Sequence, residues 1–239
     1  MPTEEPTAPV VDRGAKRRAR TRSALLGAAF ALFAERGIEA TRIADITERA
    51  DVGFGSFYNH FADKDELTRE VVDAAIETQG RIVDELADGL EDPAEVVAVA
   101  HRHFVRLASD REQSAWLLVR TDFSDRILSA TVGDRAWRPI ERGVASGRFD
   151  VPDAAAALHA TGGALTAVMR EALRRGALVD AERRGVDPPA AATFGGPDDE
   201  TGPIDDVAHA ELVLRILGLP SEEAHEVASR PMPGPPDGD

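Results

Sequence analysis

The sequence predicts an all-α protein: apolar residues recur at helical spacing between two Pro-rich acidic tails, and no segment shows an alternating β-branched run. Helix starts and stops carry their own punctuation in Asp, Thr, Pro and Gly, and no repeat of fixed period is present. At 239 residues the chain is long enough for two modest domains with buried cores. The expected division is a disordered basic arm over 1–20, a three-helix head over 21–66, a larger helical body over 67–229 and a disordered tail over 230–239.

In the head, a first helix is expected over Ser23–Arg36, with Leu26, Phe30 and Phe33 on one face and Gly37 as its stop. Thr41 is placed to cap a short second helix, with Asp45 in its first turn and Ile43, Ile46 and Ala50 as its buried stripe. The turn Asp51-Val52-Gly53 leads to a third helix over Phe54–Phe61, whose Phe57 and Phe61 lie four apart and face inward. Two short helices around a three-residue turn, braced by a longer one, make a helix-turn-helix.

The body opens with Asp63 and Glu66 as a capping box. Leu67, Val71, Ala75, Thr78, Ile82 and Leu86 then form one stripe on a rod from Lys64 to Asp88, roughly 35 Å long at 1.5 Å per residue. Asp92-Pro93-Ala94-Glu95 starts the next helix, with Val96, Val97, Ala100, Phe104 and Leu107 as its inner face. Two helices are expected within 111–150, interrupted by Gly133, Pro139, Gly143 and Gly147. A long helix rich in small residues follows over 153–184. Its Gly162-Gly163 pair costs about 1 kcal/mol per glycine, which calls for a close helix approach or a pocket wall. Residues 185–203 read as a loop, followed by helices over Ile204–Leu217 and Pro220–Ser229.

The helix over Ile204–Leu217 is apolar nearly all round and needs two neighbours. Either both lie in its own subunit, or one face forms a homodimer seam with the helix at 153–176. The second reading is favoured because a helix-turn-helix usually acts as a two-fold pair.

The net charge of −15 would ordinarily repel nucleic acid. However, Arg13 to Lys64 holds ten Lys/Arg against six Asp/Glu, a local +4, so the remainder carries −19. Six of the ten basic residues, among them Arg18 and Arg20, lie between Arg13 and Arg22, where an arm could track phosphates or enter a minor groove. There is no Cys, which excludes disulfides and thiolate metal sites and fits a reducing cytoplasm. No apolar run reaches the length of a membrane span, and no export signal is visible.

The third helix presents Phe54, Ser56, Tyr58, Asn59 and His60 away from its Phe57/Phe61 face. Asn59 can pair with an adenine edge, Ser56 can meet a base or phosphate, and Phe54 can meet a thymine methyl. Tyr58, His60 and Lys64 suit phosphate oxygens, and Arg42 can clamp one. The alternative for Tyr58 and His60 is packing against the first helix.

The run TRIADITERADVGFGSFYNHFADKDEL, Thr41 to Leu67, resembles the DNA-binding head of the TetR/AcrR regulators, and the likeness extends back to Leu25. The resemblance implies that the third helix enters the major groove, with groove contacts from Phe54, Ser56, Tyr58 and Asn59. Phosphate contacts are implied for Arg42, Tyr58, His60 and Lys64. Two positions depart from the pattern. Asp51 stands where a turn Gly is usual, and Asp tolerates the left-handed region better than most residues. Gly53 stands where Ser or Thr usually caps, a loss of only a few tenths of a kcal/mol.

For the body, the resemblance implies a small-molecule pocket among the central helices and dimerisation through the last two long ones. His103, Phe104, Trp116, Phe123, Trp137, Phe149, His159 and Met169 are the candidates to line that pocket. The function implied is a homodimeric regulator, most often a repressor, that binds palindromic double-stranded DNA. A small effector would release it by tilting the rod and shifting the reading helices from the roughly 34–36 Å spacing of consecutive major grooves.

No cofactor, metal or catalytic residue is expected, since no phosphate loop, nucleophile elbow or HExxH run occurs. The competing classes are a helical-bundle carboxylate metalloprotein and a protein-interaction module. The first would rest on Glu222-x-x-His225 with a degenerate Asp206-x-x-His209.

Overall fold

Lys, Arg and Ala are good helix formers, and the stretch AKRRARTR is helical from the outset. The computed structural model describes residues 13–110, 113–120, 130–184 and 203–234, and within them ten helices. Helix α1 spans Arg13–Arg36, starting ten residues before the expected Ser23. Arg13–Arg20, expected in a disordered arm, are therefore its first turns, and residues 14–20 are exposed. Apolar spacing could not reveal them because those turns bury no face.

The chain divides into two compact units, Met1–Val71 and Val72–Asp239. The first contains α1, α2 (Ile43–Arg49), α3 (Phe54–Phe57) and the start of α4 (Lys64–Leu86). Leu25, Ala29, Phe33, Ile46, Phe57, Phe61 and Leu67 form its core. The α1 face is rotated from the expected one, with Leu25 and Leu32 buried and Leu26 and Phe30 half-buried. Thr41 does not cap α2. It is buried, and its hydroxyl donates to the Gly37 carbonyl at 2.7 Å, closing the end of α1, while Arg42 takes the cap position and its N–H is accepted by Asp45 Oδ2 at 3.0 Å. Gly37 has φ +86°, as a helix stop in the left-handed region requires. Asp51 is the single non-glycine with positive φ among the described residues, at +53°.

Helix α3 is shorter than the expected Phe54–Phe61. Its regular part ends at Phe57, and turns carry the chain to Phe61, whose N–H still reaches the Phe57 carbonyl at 3.0 Å. The Asp63 carboxylate then caps α4 by accepting from Glu66 N at 2.7 Å. Along α4 the buried stripe runs Leu67, Val71, Val72, Ala75, Ile76 and Gln79, so Thr78 is exposed and a glutamine takes the inward place.

The second unit is organised around α5 (Pro93–Ser109), which is buried on most sides and packs against α6 (Gln113–Arg120), α7 (Ala130–Ala145), α8 (Ala154–Arg184), α9 (Asp206–Ile216) and α10 (Ser221–Ser229). Its N-cap Asp92 accepts from Ala94 N at 2.9 Å and also binds Arg148 through both carboxylate oxygens, each at 2.9 Å. Helix α7 continues through Pro139. Gly143 lets the Phe149 ring close on that helix, since a Cβ there would lie 2.1 Å from the ring. Gly218, at φ +94°, similarly admits the Asp150 backbone, whose oxygen would be 2.5 Å from a Cβ. Among the described residues no helix is long and apolar enough to cross a membrane.

Candidate functional site

The first unit brings an unusual surface together. Phe54 and Tyr58 are each 54% exposed on one face of the α3 segment, while Phe57 on the opposite side is fully buried. Tyr58 is held by edge contacts to Phe54 and Phe57, with ring centroids 5.8 and 5.3 Å away. Its ring therefore packs on its own segment and leaves most of the side chain accessible. Asn59 is exposed, and Ser56 is half-buried. Such a face of aromatic and amide side chains without Lys or Glu costs solvation on a free surface and fits a groove lined by base edges.

The basic residues expected around this face divide into two groups. Arg18 and Arg20 are exposed on α1, and Lys16, Arg17, Arg20 and Thr21 share a shallow groove with Val52 of the α2–α3 turn. Arg42 is also exposed, although its guanidinium rests on Asp45 at 2.9 Å. That pairing holds the Asp45 carboxyl down at about 2. Lys64 is turned inward instead, its ammonium donating to the carbonyls of Ile38 at 3.0 Å and Thr41 at 3.2 Å. It braces α4 against the α1–α2 turn and keeps one N–H for any further contact. His60 is half-buried beside Phe61, and burial together with the nearby Arg18 and Arg22 pushes its pKa down. Arg22 pairs with Glu70 and lies over the Phe61 ring at 5.0 Å, fixing α1 to α4.

The second unit encloses a cavity of about 630 Å³ between α4, α5, α6, α7 and α8. Its walls are mostly apolar, from Ile76, Val83, Val96, Val97, Ala100, Phe104, Leu118, Ile140 and Leu165. One side is charged. Arg135 of α7 crosses to α4, reaching Glu77 at 2.7 Å and Asp84 at 2.8 Å, and both acids line the cavity with Asp134 and Arg138. Gly80 makes that crossing possible, since a Cβ there would stand 2.8 Å from Arg135 Nη1. Hydrogen bonding to Glu77 and Asp84 raises the Arg135 pKa, and the guanidinium lowers that of Glu77.

Among the described residues singled out from sequence for the pocket, only Phe104 lines this cavity. His103 instead donates from Nε2 to Gln79 Oε1 at 2.9 Å, Phe149 fills the notch at Gly143, and Met169 is buried core at 1% exposure. His159 is exposed, its Nδ1 donating to the Ala155 carbonyl at 2.6 Å. Trp116 and Trp137 are half-buried away from the lining, and Phe123 lies outside the described residues. Size and aromaticity identify what is buried, not what is left facing a void.

The polar lining that sequence reasoning missed comprises Glu77, Gln79, Asp84, His101, Asp134, Arg135, Arg138 and Thr161. One signal was available: Gly162 is a cavity wall, whereas a Cβ at Gly163 would meet nothing within 4 Å. The paired glycines thus serve different faces. The histidines of the two metal-like motifs diverge, His225 meeting Glu211 at 3.0 Å and His209 meeting His101 at 3.2 Å. Among the described residues no three metal-ligating side chains converge.

Two family models match. Residues 25–71 match bacterial regulatory proteins of the tetR family, and residues 92–195 match the tetracyclin repressor-like C-terminal domain. The HTH-type transcriptional repressor KstR2 of Mycobacterium tuberculosis (strain ATCC 25618 / H37Rv) is 41% identical over 91 residues, covering 34% of this chain and 46% of its own. The chain thus spans about half the length of the first curated relatives it matches. KstR2 of Mycolicibacterium smegmatis is 28% identical over 139 residues, covering 49% of this chain and 68% of its own. The crystal structure of RolR in complex with the ligand resorcinol superposes with a TM-score of 0.67 at 33% identity, covering 92% of this chain and 99% of that one. With both the head and the body matched, the chain belongs to the tetR family of bacterial regulatory proteins.

Proposed function

We propose that this protein is a ligand-responsive transcriptional repressor that binds a palindromic operator as a homodimer and leaves it when a small molecule fills the cavity. The observation that carries the reading is the pairing, in one chain, of the exposed Phe54/Tyr58/Asn59 face with a cavity whose wall includes α4, the helix that follows that face in the sequence. Helix α4 carries Lys64, Leu67 and Val71 in its first turns and Ile76, Glu77, Gln79, Gly80 and Val83 along the cavity. A ligand that shifts the cavity half of a continuous helix also displaces its first turns. Groove contacts are assigned to Phe54, Ser56, Tyr58 and Asn59, and phosphate contacts to Arg18, Arg20, Arg42 and His60.

Dimerisation is assigned to α8 and α9. Leu212 and Ile216 of α9 remain 52% and 38% exposed after its other face has buried Val213, Leu214 and Leu217. On α8, Ala156, Ala160, Gly163 and Ala167 are exposed on one face, a surface on which a partner helix could approach closely. As effector class, we assign a small hydroxylated ring. The resorcinol complex of RolR supports this, as do the cavity's apolar walls and its polar cluster at Arg135, Glu77 and Asp84.

The test is selection of bound fragments from a random DNA pool. A palindromic consensus is expected, bound by the dimer and released by the effector; enrichment of no sequence would refute the assignment.

A further inference from the structure

We propose that His101 is the residue that hydrogen-bonds the ligand at the buried end of the cavity, with His209 of α9 as its positioning partner. The inference deepens the effector reading above and rests on it. His101 lines the cavity yet is only 8% exposed, and its Nδ1 lies 3.2 Å from His209 Nε2 in a buried contact. Among the described residues no fully buried side-chain nitrogen or oxygen lacks a partner. Among the described residues His101 Nε2 meets no partner, so it is not one of those fully buried atoms, and the open space that the residue lines is the cavity.

Burial, reinforced by the neighbouring His209, holds the His101 pKa at about 3, and burial also lowers that of His209. Two neutral imidazoles joined N to N share a single bridging proton. If His101 Nδ1 donates, its Nε2 offers a lone pair to the cavity. If His209 Nε2 donates, His101 Nε2 carries the proton and becomes a donor. The pair can therefore meet a neutral hydroxyl, itself both donor and acceptor, in either arrangement. A carboxylate at the same point would be served in only one arrangement and would bring an unpaired charge to a buried site.

The charged side is elsewhere on the lining, at Arg135, Glu77 and Asp84. The charges adjoining the histidines, Arg102 and Asp206, are already paired with each other at 2.8 Å. The ligand expected is thus a ring with a neutral hydroxyl at its deep end. Because His209 sits on the helix that also carries Leu212 and Ile216, occupancy at His101 is registered on the proposed dimer helix.

The experiment uses full-length protein and two probes of equal shape, phenol and toluene, titrated by calorimetry. Wild type is expected to bind phenol about tenfold more tightly than toluene, the scale of one net hydrogen bond. His101→Phe should erase that preference while keeping toluene binding. His209→Phe should weaken phenol, and His209→Gln, which restores a donor and an acceptor, should recover it. In wild-type protein with ¹⁵N-labelled histidine, phenol should shift the ring-nitrogen resonances of His101 and His209 together, and toluene should not. This readout holds even if the variants fold poorly. An unchanged phenol-to-toluene ratio in His101→Phe, or resonances indifferent to phenol, overturns the assignment and leaves the cavity reading intact. Failure of wild type to bind either probe overturns the cavity reading and this proposal with it.

Discussion

Tyr58 and Asn59 reach outward from a segment whose stability comes from Phe57 and Phe61, fully buried on the other side. Function and folding are thereby separated residue by residue. Tyr58→Ala and Asn59→Ala are each expected to weaken operator binding by about 1–3 kcal/mol, read by fluorescence anisotropy, with no change in helicity. Unchanged affinity in both would remove α3 from the interface.

At His101 the same scale yields a pH dependence. Its folded pKa, about 3, lies below the 6.5 of an unrestrained histidine, so between those values the unfolded chain binds the extra proton. The contribution is complete above pH 6.5 and is lost as pH falls toward 3, with a slope of up to about 1.4 kcal/mol per unit. His103 and His209 shift the same way. Glu171, held at about 2 by Arg174 and Arg175, loses its contribution only as pH falls below its ordinary 4.5, so the window from 6.5 to 5 isolates the histidines. Urea midpoints should fall across that window, and less steeply in His101→Phe.

Among the elements, α5 and α9 illustrate how a helix can be apolar on nearly every side for different reasons. Helix α5 is surrounded by five helices of its own unit, and its Val96, Ala100 and Phe104 line the cavity. Helix α9 is packed on one side only and ends at Gly218, which sits against the Asp150 backbone with φ +94°. Gly218→Ala adds a left-handed penalty of about 1–2 kcal/mol to a steric clash of about 1–3 kcal/mol. The melting temperature should drop by about 5–15 °C. A change below a degree would mean that the α9–α10 turn relaxes freely.

For the whole molecule, the decisive quantity is association. Replacing Leu212 and Ile216 by Glu places two charges on the exposed face of α9, where they cost a monomer little and a dimer seam several kcal/mol. Analytical ultracentrifugation should show the double variant as a monomer with weakened operator binding. A variant that stays dimeric would move the seam elsewhere.

The sequence by itself determined the elements and the reading head. Local chemistry suffices there: Gly37 ends α1, Asp51 turns the chain, Asp63 caps α4 and the Phe57/Phe61 spacing orients α3. It placed the long helix at 153–184 against an observed Ala154–Arg184, and it flagged the paired glycines. It missed the first turns of α1, because Arg13–Arg20 leave no apolar imprint, it misread Thr41, which bonds four residues back to the end of α1 instead of capping α2, and it did not show that Lys64 reaches carbonyls across the head. The cavity was decided by tertiary structure alone. A void is defined by where five helices fail to touch, and no period along one helix records that. Gln79, His101 and Arg135 acquire their roles only when α4, α5, α6, α7 and α9 bring Ser114, His209, Glu77 and Asp84 to them.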